Sequence, residues 1–302
     1  MAVGGAGMIR LTKYRVFALV AVFVIALPAA GYLLAGKEAR GMVSYLAWRA
    51  FNADAGTGDR AEVNGIRLYY EKHGSGEPLL LMHGGSAFIE SFYGQIPALA
   101  REYRIIAPDS RGHGRSTDGD GPLSYALMAS DMLALVEKLK LGSVNIVGWS
   151  DGGIIGLDLA INHPSKVKKL VMIGSNFRTD GMSAESIAKL KTLAPDDPFL
   201  DDARRFYRRI APDPDKWPVL IGKVKAMWLT QPDYTAADLA KVRAKTLVIL
   251  GENDDIRREH GQEMARLIPG ARLVIIPGTS HMAPMEKPDE VNRLVLNFLR
   301  EK

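Results

Sequence analysis

Apolar residues recur along this chain in two alternating rhythms. Short runs rich in Val, Ile and Leu, namely "LLLM" (79–82), "IIAP" (105–108), "VNIV" (144–147), "LVMI" (170–173), "TLVIL" (246–250) and "RLVII" (272–276), have the make-up of strands buried on both faces. Between them, "FYGQIPALA" (92–100), "SYALMASDMLALVEKLK" (124–140), "IIGLDLA" (154–160), "EHGQEMARLI" (259–268) and "PDEVNRLVLNFL" (288–299) space apolar positions as a helix requires. The alternation predicts an α/β fold: a mostly parallel sheet flanked by helices. "RAEVNGIRLYYEKHG" (60–74) leads into it, with Asn64-Gly65 marking a tight hairpin between two alternating segments.

From Ser175 to about Ala240 the rhythm changes. Strand-like runs are few, whereas "SAESIAKLKTLA", "DDARRFYRRI" and "VLIGKVKAMWLT" read as short helices, with prolines around Trp217. The segment is predicted to be a helical cap inserted into the α/β domain, carrying the bulky Phe206, Tyr207, Met227 and Trp228.

The amino end differs again. Arg10, Lys13 and Arg15 precede Val16 to Ala35, a charge-free run about long enough to span a bilayer. It is expected to be an uncleaved anchor or an export signal, with Ala29-Ala30-Gly31 as the cleavage site in the second case. The chain is therefore divided into residues 1–52, holding the basic segment, the hydrophobic run and a linker, and an α/β domain over 53–302. A membrane-anchored or exported, extracytoplasmic location follows.

Composition narrows the chemistry. The 302 residues are 47% hydrophobic and 24% charged, which is ordinary for a globular protein. The net charge of +5 is spread among Asp and Glu without a basic tract or an aromatic ladder, which argues against a nucleic-acid partner. With no cysteine, a thiolate nucleophile, a disulfide framework and a Cys-based zinc site are excluded.

One break in the pattern points to a reaction. In "VNIVGWSDGGIIGLDLA" (144–160) a strand-like run gives way to Gly-Trp-Ser-Asp-Gly-Gly and then to a helical run. A serine on such a turn, with glycines supplying unusual backbone angles, matches the G-x-S-x-G elbow that exposes a nucleophile. Ser150 would need a base, an acid and oxyanion donors. Of the six histidines, His281 follows the apolar run "ARLVIIP" in a loop of small residues and is the candidate base. The acid is sought after the strand "LVILGENDD", where Glu252, Asp254 and Asp255 are available, with Asp180 as a second location. The backbone N–H groups of Asp151 and Gly85 are the expected oxyanion donors.

The segments "LLLMHGGSAFIESF", "IIAPDSRGHGRS", "IVGWSDGGIIGLDLA", "LVILGENDD" and "GTSHMAPMEKPDEVNRLVLNFL" together resemble the α/β-hydrolase fold family over about residues 61–300. The resemblance implies Ser150 as nucleophile, Asp254 as acid and His281 as base, in that chain order, beneath a cap. It implies a carboxylic ester hydrolase acting through an acyl-enzyme on a small-molecule ester or lactone, with no metal or organic cofactor. Perhydrolase or haloperoxidase chemistry, amide hydrolysis and carbon–carbon bond hydrolysis use the same triad and stay open as alternatives, as does a non-enzymatic receptor of this fold. The family's epoxide hydrolases and haloalkane dehalogenases carry an aspartate nucleophile, which this chain lacks. Asp151, Trp149 and Trp228 are the candidate substrate-binding residues. "GWSDGG" resembles the elbow of hydrolases of amino-acid esters, so Asp151 is expected either to pair with a substrate ammonium or to face solvent at the helix start.

Overall fold

The computed structural model describes residues 36–51 and 58–301. The run Val16 to Ala35 and the linker residues 52–57 lie outside them. Among the described residues no helix is long and apolar enough to cross a membrane. The chain divides into two compact units, Met1–Trp48 and Arg49–Lys302. In the second unit the Arg49 guanidinium donates to Glu71 Oε1 at 3.0 Å.

The second unit is built on eight strands: β1 Gly58–Val63, β2 Ile66–His73, β3 Glu77–Met82, β4 Tyr103–Pro108, β5 Val144–Trp149, β6 Val167–Ile173, β7 Lys245–Asn253 and β8 Arg272–Ser280. They form one sheet in the order β1-β2-β4-β3-β5-β6-β7-β8. β1 and β2 are antiparallel to each other, with Val63 facing Ile66 across the two-residue turn Asn64-Gly65. Both turn residues have positive φ (43° and 78°), as a tight hairpin that matches strand twist demands. β2 runs antiparallel to β4, and all pairs from β4 to β8 are parallel. Leu79 to Met82, Ile146, Val147 and Leu170 to Ile173 are buried on both faces of the sheet. Each such side chain contributes about 1.5–3 kcal/mol through loss of water contact.

Helices Tyr125–Lys138, Asp151–Asn162, Arg258–Leu267 and Pro288–Arg300 connect or close the strands. The Ser124 hydroxyl caps the first by accepting from Leu127 N–H, so the predicted start of that helix holds. The expected single helix over 92–100 does not form. A short 3-10 turn, Ile89–Phe92, and a four-residue helix, Ile96–Leu99, take its place. Between them Gly94 meets Pro288 so closely that a Cβ there would stand 2.6 Å from the proline ring, and Pro97 restarts the helix.

Between β6 and β7 the chain forms the cap. Its helices are Ala184–Thr192, Asp201–Ile210, Trp217–Thr230 and Ala236–Leu239, close to the positions expected. Trp217, Leu220, Ile221, Val224 and Met227 bury one side of the long cap helix, and Lys223 ties it to Asp118 at 2.6 Å.

Candidate active site

Because β3 and β5 to β8 are parallel, the residues just past their carboxyl ends gather at one edge of the sheet. These are the His83–Gly85 loop, Ser150, Ser175, Asp254 and His281. Ser150 lies between β5 and helix Asp151–Asn162 with φ 53° and ψ −120°. A non-glycine residue pays about 1–3 kcal/mol for such a conformation. Two hydrogen bonds hold it: Ser150 N–H donates to Ile173 O at 2.7 Å, and the Ser175 hydroxyl donates to Ser150 O at 2.8 Å. The expectation that the glycines take the unusual angles is corrected, because the serine itself carries the positive φ. The glycines supply room instead. A Cβ on Gly148 would stand 2.2 Å from the carbonyl carbon of Gly152, and one on Gly152 2.0 Å from Met82 O.

His281 reaches this serine from 131 residues away. Its Nε2 lies 3.0 Å from Ser150 Oγ, and its Nδ1 lies 2.8 Å from Asp254 Oδ1. Asp254 also accepts from Gly251 N–H at 3.0 Å and Ile256 N–H at 3.1 Å. Burial alone would raise the Asp254 pKa, but the His281 contact and the two backbone donors outweigh it and hold the carboxyl below its ordinary value. Burial pulls His281 the other way, and the Asp254 carboxylate overcomes it and raises the imidazole above its ordinary value.

The other candidate acids are engaged elsewhere. Asp255 Oδ1 accepts from the Ser186 hydroxyl at 2.6 Å, at the start of the cap, and Glu252 accepts from Gly278 N–H at 2.7 Å. Asp180 pairs with Arg178 at 3.1 Å. The remaining histidines also have other partners or places. His73 contacts Glu71, His113 Nδ1 donates to Arg111 O, and His260 Nε2 accepts from Phe177 N–H at the base of the cap. His163 stands at the far end of the elbow helix.

The N–H of Asp151 is the first of its helix, where no intrahelical acceptor exists and the helix dipole is positive. Facing it is the loop after β3. His83, buried, holds that loop by donating from Nδ1 to Gly84 O at 2.7 Å while Nε2 accepts from Ser110 N–H at 3.0 Å. This brace was not singled out in the sequence, although "MHGG" at a strand end is its signature. A Cβ on Gly84 would stand 3.1 Å from Ser150 Cβ. A Cβ on Gly85 would stand 2.4 Å from both Asp151 Oδ2 and the Trp228 ring. Gly85→Ala is therefore expected to displace the loop and lower kcat about 10- to 100-fold, somewhat less than outright loss of an oxyanion donor. Kinetics on an activated ester, with thermal melting to confirm folding, would read this, and unchanged kcat would remove Gly85 from the site.

Asp151 does not face solvent; it is 2% exposed. Its carboxylate accepts from the Tyr125 hydroxyl at 2.9 Å and from Trp228 Nε1 at 2.8 and 3.0 Å, joining the elbow to the long cap helix. Burial raises its pKa to about 6 against the pull of those two donors. Nothing in the local sequence announced Tyr125 as its partner. Trp149 turns the other way: its Nε1 donates to His281 O at 2.9 Å, and its ring lies 5.9 Å from the imidazole. It supports the histidine loop. Among the described residues, no group of three or more His, Asp or Glu side chains is placed to hold a metal ion.

Known proteins share this arrangement of segments. A human protein named serine hydrolase BPHL is 30% identical over 256 residues, covering 81% of this chain and 87% of the human protein. A thermophilic esterase from Thermogutta terrifontis superposes with a TM-score of 0.68 at 25% identity, covering 81% of this chain and 98% of the esterase. Est816, described as an N-acyl homoserine lactone degrading enzyme, superposes with a TM-score of 0.63 at 27% identity, covering 80% of this chain and all of its own. The model of the alpha/beta hydrolase family matches residues 79–294, a span that runs from the strand before the His83 loop to the closing helix, and the chain belongs to that family.

Proposed function

We propose that this hydrolase cleaves carboxylic esters or lactones through an acyl-enzyme, with Ser150 as nucleophile, His281 as base and Asp254 as the group that orients it. The observation that carries the reading is the continuous hydrogen-bonded chain from Asp254 through His281 to Ser150 Oγ. Ser150 Oγ attacks the carbonyl carbon while His281 Nε2 takes the hydroxyl proton. The N–H groups of Gly85 and Asp151 receive the charge that develops on the carbonyl oxygen. Collapse expels the alcohol, which takes the proton from His281, and leaves the acyl group on Ser150. A water deprotonated by His281 then attacks the acyl carbon, releasing the acid and restoring the hydroxyl. In a lactone the alcohol remains part of the acyl group throughout, so ring opening expels no separate molecule and the second step releases a single hydroxy acid. A fluorophosphonate label should attach to Ser150, located by peptide mass, and an ester and lactone panel should show turnover. Labelling of another residue, or none, would overturn the reading.

Substrate preference is assigned to Asp151. Its carboxylate has acceptor capacity beyond the Tyr125 and Trp228 donors, and it lies beside the proposed oxyanion donor Gly85. α-Amino esters should be preferred over matched desamino esters by roughly ten- to a hundredfold in kcat/KM, the worth of a partly buried ion pair. The preference requires ionised Asp151, so it should be present above its pKa of about 6 and fade as pH falls through that value. Asp151→Asn should erase it while sparing neutral esters. Equal kcat/KM for the two series in the unmutated enzyme would end the assignment.

A further inference from the structure

The helix Lys37–Phe51 presents apolar side chains outward. On a 100° wheel, its exposed arc holds Ala39, Val43, Leu46, Ala47, Ala50 and Phe51, with Ser44 at the rim. Val43 is 50%, Leu46 54% and Phe51 88% exposed, three of the five exposed large hydrophobic residues among those described. Met42, Tyr45 and Trp48 point the other way and are half-buried or buried. A helix on a water-facing surface puts polar residues outward, and this one reverses that rule. The single basic residue inside the arc, Arg40, sits in the first turn, where a long side chain can extend its charge away from apolar surroundings.

We propose that this outward face lies in the boundary between headgroups and acyl chains of a lipid bilayer. The occupant follows from the adjoining chain. The charge-free run Val16 to Ala35 ends one residue before Gly36, so a bilayer holding that run would meet the chain where this helix begins. Apolar residues along one face, with a basic side chain reaching phosphates, is the chemistry of a helix lying in the interface plane. The inference concerns lipid contact alone and does not depend on the reaction at Ser150.

The chain has no cysteine, so single labels are placed cleanly. Val43→Cys, Leu46→Cys and, as a solvent-exposed reference in the second unit, Glu259→Cys would carry an environment-sensitive fluorophore. The full chain would be reconstituted in vesicles of phosphatidylcholine and phosphatidylglycerol. Labels at 43 and 46 should emit to the blue and be quenched several-fold more by a shallow lipid nitroxide than by iodide, with the reverse at 259. Iodide quenching at 46 equal to that at 259 would overturn the proposal. Protection from both quenchers would overturn it in favour of a second copy of the chain. Alkaline carbonate extraction of the same vesicles reads the anchoring run separately, and ester turnover reads Ser150.

Discussion

Ser150→Ala is expected to lower ester kcat/KM by about 10⁴- to 10⁶-fold and to leave the melting temperature nearly unchanged. The size follows from how the group works. Without Oγ there is no acyl acceptor, and what survives comes from substrate binding and the oxyanion donors. Stability is spared because the hydroxyl makes one side-chain contact, to His281 at 3.0 Å, while the strained backbone is held by main-chain and Ser175 contacts that alanine keeps. His281→Ala should cost a similar factor, and the double variant little more than either alone, since the two act as one unit. Steady-state kinetics beside a thermal melt check both. A residual rate within tenfold of the unmutated enzyme would remove Ser150 as nucleophile.

The second large effect separates two adjacent acids. Asp254→Asn should lower kcat by about 10⁴, because an amide cannot hold the imidazole with Nδ1 protonated and Nε2 free to accept. Asp255→Asn should change kcat by less than about tenfold, for its carboxylate is committed to Ser186 at the foot of the cap. Asp180→Asn, at the Arg178 pair, should be nearly silent in kcat. A larger loss at Asp255 than at Asp254 would move the acid by one residue, and a large loss only at Asp180 would move it to the loop after β6.

Much of this molecule is determined within short stretches of chain. The strands were legible because a parallel strand covered on both faces must be apolar throughout, and the helices because one covered face imposes a spacing of three or four. Asn64-Gly65 specified a hairpin because both turn residues need positive φ. Ser150 stood out since a strand-to-helix turn this tight excludes side chains at Gly148 and Gly152. The family resemblance pointed to Asp254 among its neighbours, but the local sequence could not separate it from Asp255, as both follow the same strand.

What lay beyond such stretches was decided by tertiary structure. Only the return of β8 alongside β7 brings His281 to Asp254, 27 residues away, and turns Asp255 toward the cap. Burial of Asp151 depends on Tyr125 and on Trp228, 26 and 77 residues distant, and the turn of Trp149 toward the His281 loop depends on a carbonyl 132 residues on. In the run 92–100 Pro97 already interrupts a single helix locally, whereas the close packing of Gly94 on Pro288 comes from a segment that no local pattern contains. Local sequence sets which backbone conformations are open and which faces must be covered. Which side chain meets which depends on packing between segments far apart in the chain, and that contact is where a charge gains its partner and its pKa.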